Sequence, residues 1–294
     1  MLKTRASNDV VEISGICSRA ECVNCSNGTI AIFMDIRNKD GSCTAKLWSA
    51  PSNDVTSYKE KAVKINGTVK EYKGVKELSV NKIEVLPDSE IIRFIPRLNY
   101  DELCKNFMGF LKSHIDQNYY EALKIVFEHI NFDKFVTGYA AASHHDNISG
   151  GLINHTLKML QIAEVLFNQH SELAFMKNRI YTGIVLHDIG KINCYNAVGG
   201  VAEDNYVDHK AIGIMILAEV KDKIIEKIGE AEYKQIIAII LGHHDEYGEP
   251  AHSVATKIIN FIDILDAQVT YLIQLMTQVE FKGDIKFDNK YLHI

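Results

Sequence analysis

The sequence holds little tryptophan or proline: Trp48 is the only tryptophan and there are four prolines in 294 residues. It has no uncharged apolar run of about 18 residues, so no membrane span is expected. The opening stretch, MLKTRASNDVVEIS, lacks the continuous apolar core of a signal peptide, and the expected setting is the cytoplasm. Basic residues are not in excess. The 32 Lys and Arg face 38 Asp and Glu, a net charge of −6 that does not advertise a nucleic-acid binder. Cysteines are few: Cys17, Cys22, Cys25, Cys43, Cys104 and Cys194. In a cytosolic chain they are expected to be reduced thiols. CVNC (22–25) has zinc-knuckle spacing, and Cys17 and Cys43 would complete four ligands. A second tight pair is missing, which favours cysteines in or beside a β-hairpin loop over a zinc site.

What is present divides into two textures. At 47% hydrophobic and 24% charged, the chain can build a sizeable core, and its length suits one large domain or two ordinary ones. Residues 10–86 alternate and are rich in β-branched side chains: VVEISGIC, GTIAIFMDI, SCTAKLW, KAVKINGTVKEYKG and VKELSVNKIEVL. Asn27-Gly28, Asp40-Gly41, Asn66-Gly67 and Lys73-Gly74 punctuate them as expected turns. Five or so short strands in this order look like an OB-fold barrel over residues 1–88. Such barrels bind single strands by stacking bases on aromatics while basic side chains follow the phosphates. Phe33, Trp48 and Tyr72 are candidate platforms, with Lys46, Lys70, Lys73 and Lys76 nearby, although a small barrel also needs large side chains inside.

Pro87 and Pro96 bracket an expected linker, residues 89–99. From Tyr100 onwards apolar residues recur every three or four positions, in 103–115, 119–130, 152–167, 178–189, 210–228, 232–242 and 255–275. An all-helical domain is expected over 100–294. Residues 1–88 hold 13 Lys and Arg against 11 Asp and Glu, while the remainder holds 19 against 27. An acidic domain joined to a mildly basic one suits a metal-binding core with a substrate-handling appendage, and equally an ordinary surface.

The informative residues are polar ones on apolar faces. His155 shares a helical stripe with Met159, Ile162 and Leu166. His187 shares one with Ile180 and Ile184, and Asp188 the next with Tyr181 and Val185. His243 and His244 cap the Ile236/Ile240 stripe, His209 opens a helix, and Asp263 and Asp266 lie three apart beside Ile259 and Ile262. Singly, an inward histidine is usually a satisfied core residue and an aspartate at a helix end is usually a cap. Together they point elsewhere. An unpaired buried carboxylate costs several kcal/mol, and five segments offering His or Asp to one core suit a shared cation. Mixed imidazole and carboxylate donors fit Mn, Fe, Co or Zn better than Ca.

The ordered set His155, His187-Asp188, His209, His243-His244, Asp263 resembles the HD-domain superfamily of metal-dependent phosphohydrolases. HHDNISGGLINHT, LHDIGK, GHHDEYGEP and FIDILDA are similar to the YhaM-type 3′→5′ exoribonucleases, which join an N-terminal OB-fold to a C-terminal HD domain. The resemblance implies one metal held by His155, His187, Asp188 and Asp263. It implies a second, bridged by Asp188 and held by His209 with His243 or His244. One or two divalent ions per chain follow, manganese first among Fe, Co, Ni, Zn and Mg. Asp266 is then an orienting residue behind a ligand. The family pattern has a glycine just before the position of His209, where this chain has Asp208.

Such a site hydrolyses phosphodiesters by activating water and neutralising phosphate charge. Lys191 is expected to act as a point charge on a phosphate oxygen, with a solvated helix-end lysine as the alternative. Gly190 is expected to end the helix. His144 or His145 could serve as phosphate donor or proton carrier, or only cap the Gly150-Gly151 turn. Asp245, Glu246 and Glu249 could orient the neighbouring histidines or face solvent. The implied activity is 3′→5′ exonuclease action on single-stranded RNA, or DNA, to nucleoside monophosphates. Its partners would be single strands and no membrane, with homo-oligomer formation left open. Three alternatives remain: a phosphodiesterase of small nucleotides, a non-catalytic single-strand binder with a structural metal, and oxygenase chemistry at a di-iron site.

Overall fold

The computed structural model describes all residues except Lys3, Lys73, 142–147, Ala197, 203–204 and 246–249. The chain divides into two compact units, Met1–Arg97 and Leu98–Ile294.

The first unit is a closed barrel of β1 (Val10–Asn24), β2 (Ile30–Asn38), β3 (Gly41–Leu47), β4 (Ala62–Tyr72) and β5 (Val75–Val85). They pair in the order β1-β2-β3-β5-β4, with β1 closing on β4 and only β3–β5 parallel, an OB-like arrangement. Alternation decides which side chains go inside. Ile32, Met34 and Ile36 of β2 are buried with Ala45, Val63, Ile65, Val69 and Leu78, while Phe33 and Asp35 between them are not fully buried. Gly28, Gly41 and Gly74 turn the chain with left-handed φ. Asn66-Gly67 is not a turn. It lies within β4, where the register against β5 shifts, and a Cβ on Gly67 would meet the Ser79 carbonyl oxygen at 2.7 Å. It is a bulge glycine, which lets the strand bend around the barrel. The segment expected as a linker forms a 3-10 turn, Asp88–Glu90, and the short α1 (Ile91–Phe94), which lies against β1.

The second unit contains α2 (Tyr100–His114), α3 (Gln117–Ile130), α4 (Phe132–Thr137), α5 (Gly151–Gln169), α6 (Lys177–Leu186), α7 (His209–Glu219), α8 (Lys221–Ile228), α9 (Glu230–Gly242) and α10 (Val254–Gln278). One apolar core runs through them, from Phe107 and Phe135 to Ile184, Ile240 and Ile259. Side chains cap several helices: Asn99 accepts from Glu102 N, Asp208 from Lys210 N, and Ser253 from Thr256 N. The expected helix over 210–228 is two helices, broken at Val220. The unit is a helical domain, as expected, and a short hairpin of β6 (Asp284–Phe287) and β7 (Lys290–His293) follows α10. By length and composition α10 alone among the described helices would suffice to cross a membrane. One of its faces, with Ile259, Asn260, Ile262 and Asp266, is buried in the domain.

Candidate metal centre

Five stretches of the helical unit deliver polar groups to one place. The apolar Ile180, Ile184, Val185 and Leu186 sink α6 into the core, and His187 and Asp188 follow at its end, 0% and 2% exposed. Gly190 does not terminate this helix. α6 is over by Leu186, and Gly190 lies in a 3-10 helix, Ile189–Asn193, without a left-handed φ. Its role is close approach. A Cβ there would sit 1.9 Å from the His209 carbonyl oxygen and 2.7 Å from Gly213 N. Glycine therefore lets the start of α7, with His209, press against the Asp188 segment. Asp208 caps α7, accepting from Lys210 N at 2.8 Å. α5 contributes His155, the end of α9 contributes His243 and His244, and α10 contributes Asp263.

These side chains form two adjoining groups. His155, His187 and Asp263 make one, and Asp188, His209, His243 and His244 the other; within each, the ligand atoms lie within 4.8 Å of one another. Asp188 reaches both. Its Oδ2 is 3.3 Å from His187 Nε2, and its Oδ1 is 3.3 Å from His209 Nε2 and 3.7 Å from His243 Nε2. His155 Nε2 is 3.2 Å from Asp263 Oδ1. The rings are turned deliberately. His187 Nδ1 donates to the Ile184 carbonyl at 2.7 Å, His243 Nδ1 to the Ile240 carbonyl at 2.9 Å, and His155 Nδ1 to Asp266 Oδ2 at 2.7 Å. With Nδ1 engaged, Nε2 of each ring faces the centre, the arrangement metal-binding histidines adopt.

The fit to a cation shows in what lacks a partner. His187 Nε2, Asp188 Oδ1, His209 Nε2 and His243 Nε2 are buried with no hydrogen bond. Each such atom costs about 1–3 kcal/mol if left so. His187 Nε2 belongs to one group and Asp188 Oδ1, His209 Nε2 and His243 Nε2 to the other, and divalent ions bound in the two groups would satisfy all four. Electrostatics agree. Burial, against the pull of Asp188, takes the His209 imidazole down to about 4. Burial likewise lowers His243, helped by His187, and lowers His244. These rings are neutral donors at ordinary pH. Burial would raise Asp188, but Lys191 and His187 outweigh it and hold the carboxylate well below its usual range. Burial would lower His155 too, yet Asp263 and Asp266 overcome it and lift the imidazole to about 10.

Lys191 is not a solvated helix-end lysine. Its Nζ lies 2.6 Å from Asp188 Oδ2 and its side chain is largely buried. Asp245 neither faces the histidines nor stands alone; it pairs with Lys257 of α10 and accepts from Ala251 N at 2.9 Å. His144, His145, Glu246, Glu249 and Lys73 lie outside the described residues. On the barrel, Phe33, Lys46 and Trp48 fall on the outer face, as do Thr68, Lys70 and Tyr72 along β4. Trp48 and Tyr72 are 49% and 62% exposed, and Trp48 meets Phe33 edge-on at 5.7 Å. Lys46 lies over the Phe33 ring and is held by Glu77 at 2.5 Å, so a phosphate would have to take the place of that carboxylate. Lys70 donates to Asn8, and Lys76 to the Arg5 carbonyl. Among the described residues no cysteines gather as a metal group; Cys17 is buried, its thiol turned to the Arg19 carbonyl. Sequence reasoning missed Asn260, a buried polar residue on α10 that donates to the His243 carbonyl at 2.7 Å. Its only signal was its place three residues before Asp263.

Residues 152–268 match the family model described as HD domain. The helical unit thus carries an HD domain, and that match together with the relatives it resembles supports a metal-dependent phosphodiester hydrolase, with an OB-like barrel earlier in the sequence. Along most of its length the chain resembles 3′-5′ exoribonuclease YhaM. It is 27% identical over 268 residues to that of Bacillus pumilus, covering 87% of this chain and 84% of the relative. The YhaM of a Geobacillus species is 25% identical over 268 residues, covering 87% and 81%. That of Bacillus subtilis is 25% identical over 270 residues, covering 87% and 84%.

Proposed function

We propose that this chain is a metal-dependent 3′→5′ exonuclease of single-stranded RNA that releases nucleoside monophosphates, with single-stranded DNA as a second substrate. The observation that carries the reading is the pair of histidine–carboxylate groups joined through Asp188, with four buried donor atoms lacking partners. The relatives are named 3′-5′ exoribonucleases, and the polarity and the preference for RNA in this reading follow that name.

In this reading His155, His187 and Asp263 hold one ion, His209, His243 and His244 hold the other, and Asp188 stands between them. Manganese suits these mixed donors, as do Fe, Co, Ni and Zn. Bound ions of this kind lower the pKa of water and neutralise charge on phosphate oxygens. The chain's own groups supply the rest. Burial keeps His209, His243 and His244 neutral, so a ring-nitrogen lone pair of each is available at ordinary pH. Lys191, whose partner is Asp188, can turn its ammonium to a phosphate oxygen once that carboxylate is engaged by cations. On the barrel, Trp48, Phe33 and Tyr72 offer ring surfaces on which successive bases stack without regard to sequence.

The test is incubation of the full chain with 5′-labelled single-stranded RNA, with Mn²⁺ or with chelator. A metal-dependent ladder shortening from the 3′ end, with monophosphates released, is the expected result. Intact RNA beside hydrolysed small nucleotides would replace the reading with a small-nucleotide phosphodiesterase. Shifted but undegraded RNA would leave only a binding protein. Asp188→Ala should abolish hydrolysis while RNA binding persists.

A further inference from the structure

α10 does more than present Asp263. Asn260, Asp263 and Asp266 are spaced by three, so their side chains follow one another down one face of the helix. Asn260 and Asp266 are both buried, 3% and 5% exposed. Each of the three addresses something different. Asp263 Oδ1 faces His155 Nε2 at 3.2 Å. Asp266 Oδ2 takes the other nitrogen of the same ring, accepting from Nδ1 at 2.7 Å. Asp266 is itself fixed by Thr270 Oγ1 at 3.4 Å, with Lys158 Nζ at 3.7 Å. Asn260 works one turn away and donates Nδ2 to the His243 carbonyl oxygen at 2.7 Å.

The two histidines are thus held by different means. His155 is oriented through its ring, by a carboxylate from another helix. The His243 ring has no such carboxylate on Nδ1, which donates to the Ile240 carbonyl within its own turn. The His243 ring therefore moves with the backbone at the end of α9. That backbone is tied to α10 by Asn260, and just beyond by the Asp245–Lys257 pair.

We infer that Asn260 and Asp266 are positioning residues that set the two ion affinities separately, Asn260 through His243 and Asp266 through His155. The inference rests on the metal reading proposed above. Loss of the group that orients a metal ligand typically costs about 10- to 100-fold in metal affinity. The experiment is calorimetric titration of Mn²⁺ into metal-stripped full chain. Wild type should show two binding events. Asn260→Leu should weaken one event about 10- to 100-fold and leave the other unchanged, and Asp266→Asn should do the converse. Background substitutions identify which event is which. The Asn260→Leu loss should vanish in a His243→Ala chain and persist in a His155→Ala chain, with the reverse for Asp266→Asn.

Asn260→Ser, which shortens the side chain without an apolar insertion, serves if the leucine variant does not fold. Melting of the metal-free variants completes the test. A merely structural role lowers the melting temperature without splitting the two affinities. Two wild-type events with both weakened equally, or neither weakened, would overturn this inference and leave the metal reading standing. A wild-type chain that takes up no Mn²⁺ would overturn both.

Discussion

Asp188→Asn removes a charge that lies in the core with Lys191 Nζ at 2.6 Å. At an effective dielectric of about 20, unit charges so close attract by roughly 6 kcal/mol, before the cost of taking both out of water. The substitution leaves a largely buried ammonium without its partner, a defect that costs about 3–5 kcal/mol. Asp263 also bears on Lys191, which favours the lower end. In a domain of this size each kcal/mol moves the melting point by about 2–4 °C, so metal-free Asp188→Asn should melt roughly 6–20 °C below wild type. Adding Lys191→Met removes the orphaned charge and keeps an apolar stem. Replacing a whole buried pair in this way is often close to neutral, and the double variant should regain most of the loss. Metal-dependent RNA hydrolysis should be absent from both. The assay is circular-dichroism melting in chelator, with RNA degradation followed in parallel. A single variant melting within about 2 °C of wild type, or a double variant below the single, would refute the reasoning.

Three further outcomes follow from the geometry. His155 is lifted to about 10 in the metal-free chain, so it is protonated at pH 8, and an ion on Nε2 must displace that proton. Calorimetry in buffers of different ionisation enthalpy should show about one proton released at this position. The affinity there should rise up to about tenfold per pH unit below pH 10, with no such release at His209, His243 and His244. By the same sign, the charged His155 stabilises the metal-free fold fully below its ordinary pKa, and that contribution is lost as pH rises through about 10. Trp48 is the sole tryptophan and is half-exposed, so its fluorescence should be quenched on titration with single-stranded RNA; Trp48→Ala should weaken binding by about 1–3 kcal/mol, and an unchanged affinity would remove it from the strand path. Gly190→Ala places a Cβ 1.9 Å from the His209 carbonyl oxygen, so α7 must retreat. Melting should report a loss of about 1–3 kcal/mol, together with weaker Mn²⁺ uptake.

Much of this arrangement was legible in the residues, for identifiable reasons. Alternation along KAVKINGTVKEY and three-to-four spacing along INHTLKMLQIAEVLF follow directly from backbone period, so barrel and helices were foreseeable. Asn66-Gly67 was misleading because a tight turn and a bulge ask the same thing of a dipeptide, and only the partner strand distinguishes them. The run IAIFMDI is apolar on both faces, so whether Phe33 packs inside or lies outside was open until the barrel closed around Ile32 and Met34. Gly190 resembles a helix stop, yet its purpose is a contact with a segment that returns at His209. Asn260 leaves almost no trace, since its partner is a backbone carbonyl seventeen residues away, and carbonyls have no sequence signature.

The meeting of Gly190 with the start of α7 makes the stretch from Lys191 to Asp208 an excursion whose two ends touch. Because its closure is already secured at the base, adding residues costs little, about 0.6 kcal/mol for each doubling of length. That stretch carries exposed Val201, Tyr206 and Val207. A change of length there falls on the excursion and not on the close approach of Gly190 to His209 that holds the Asp188 segment against α7.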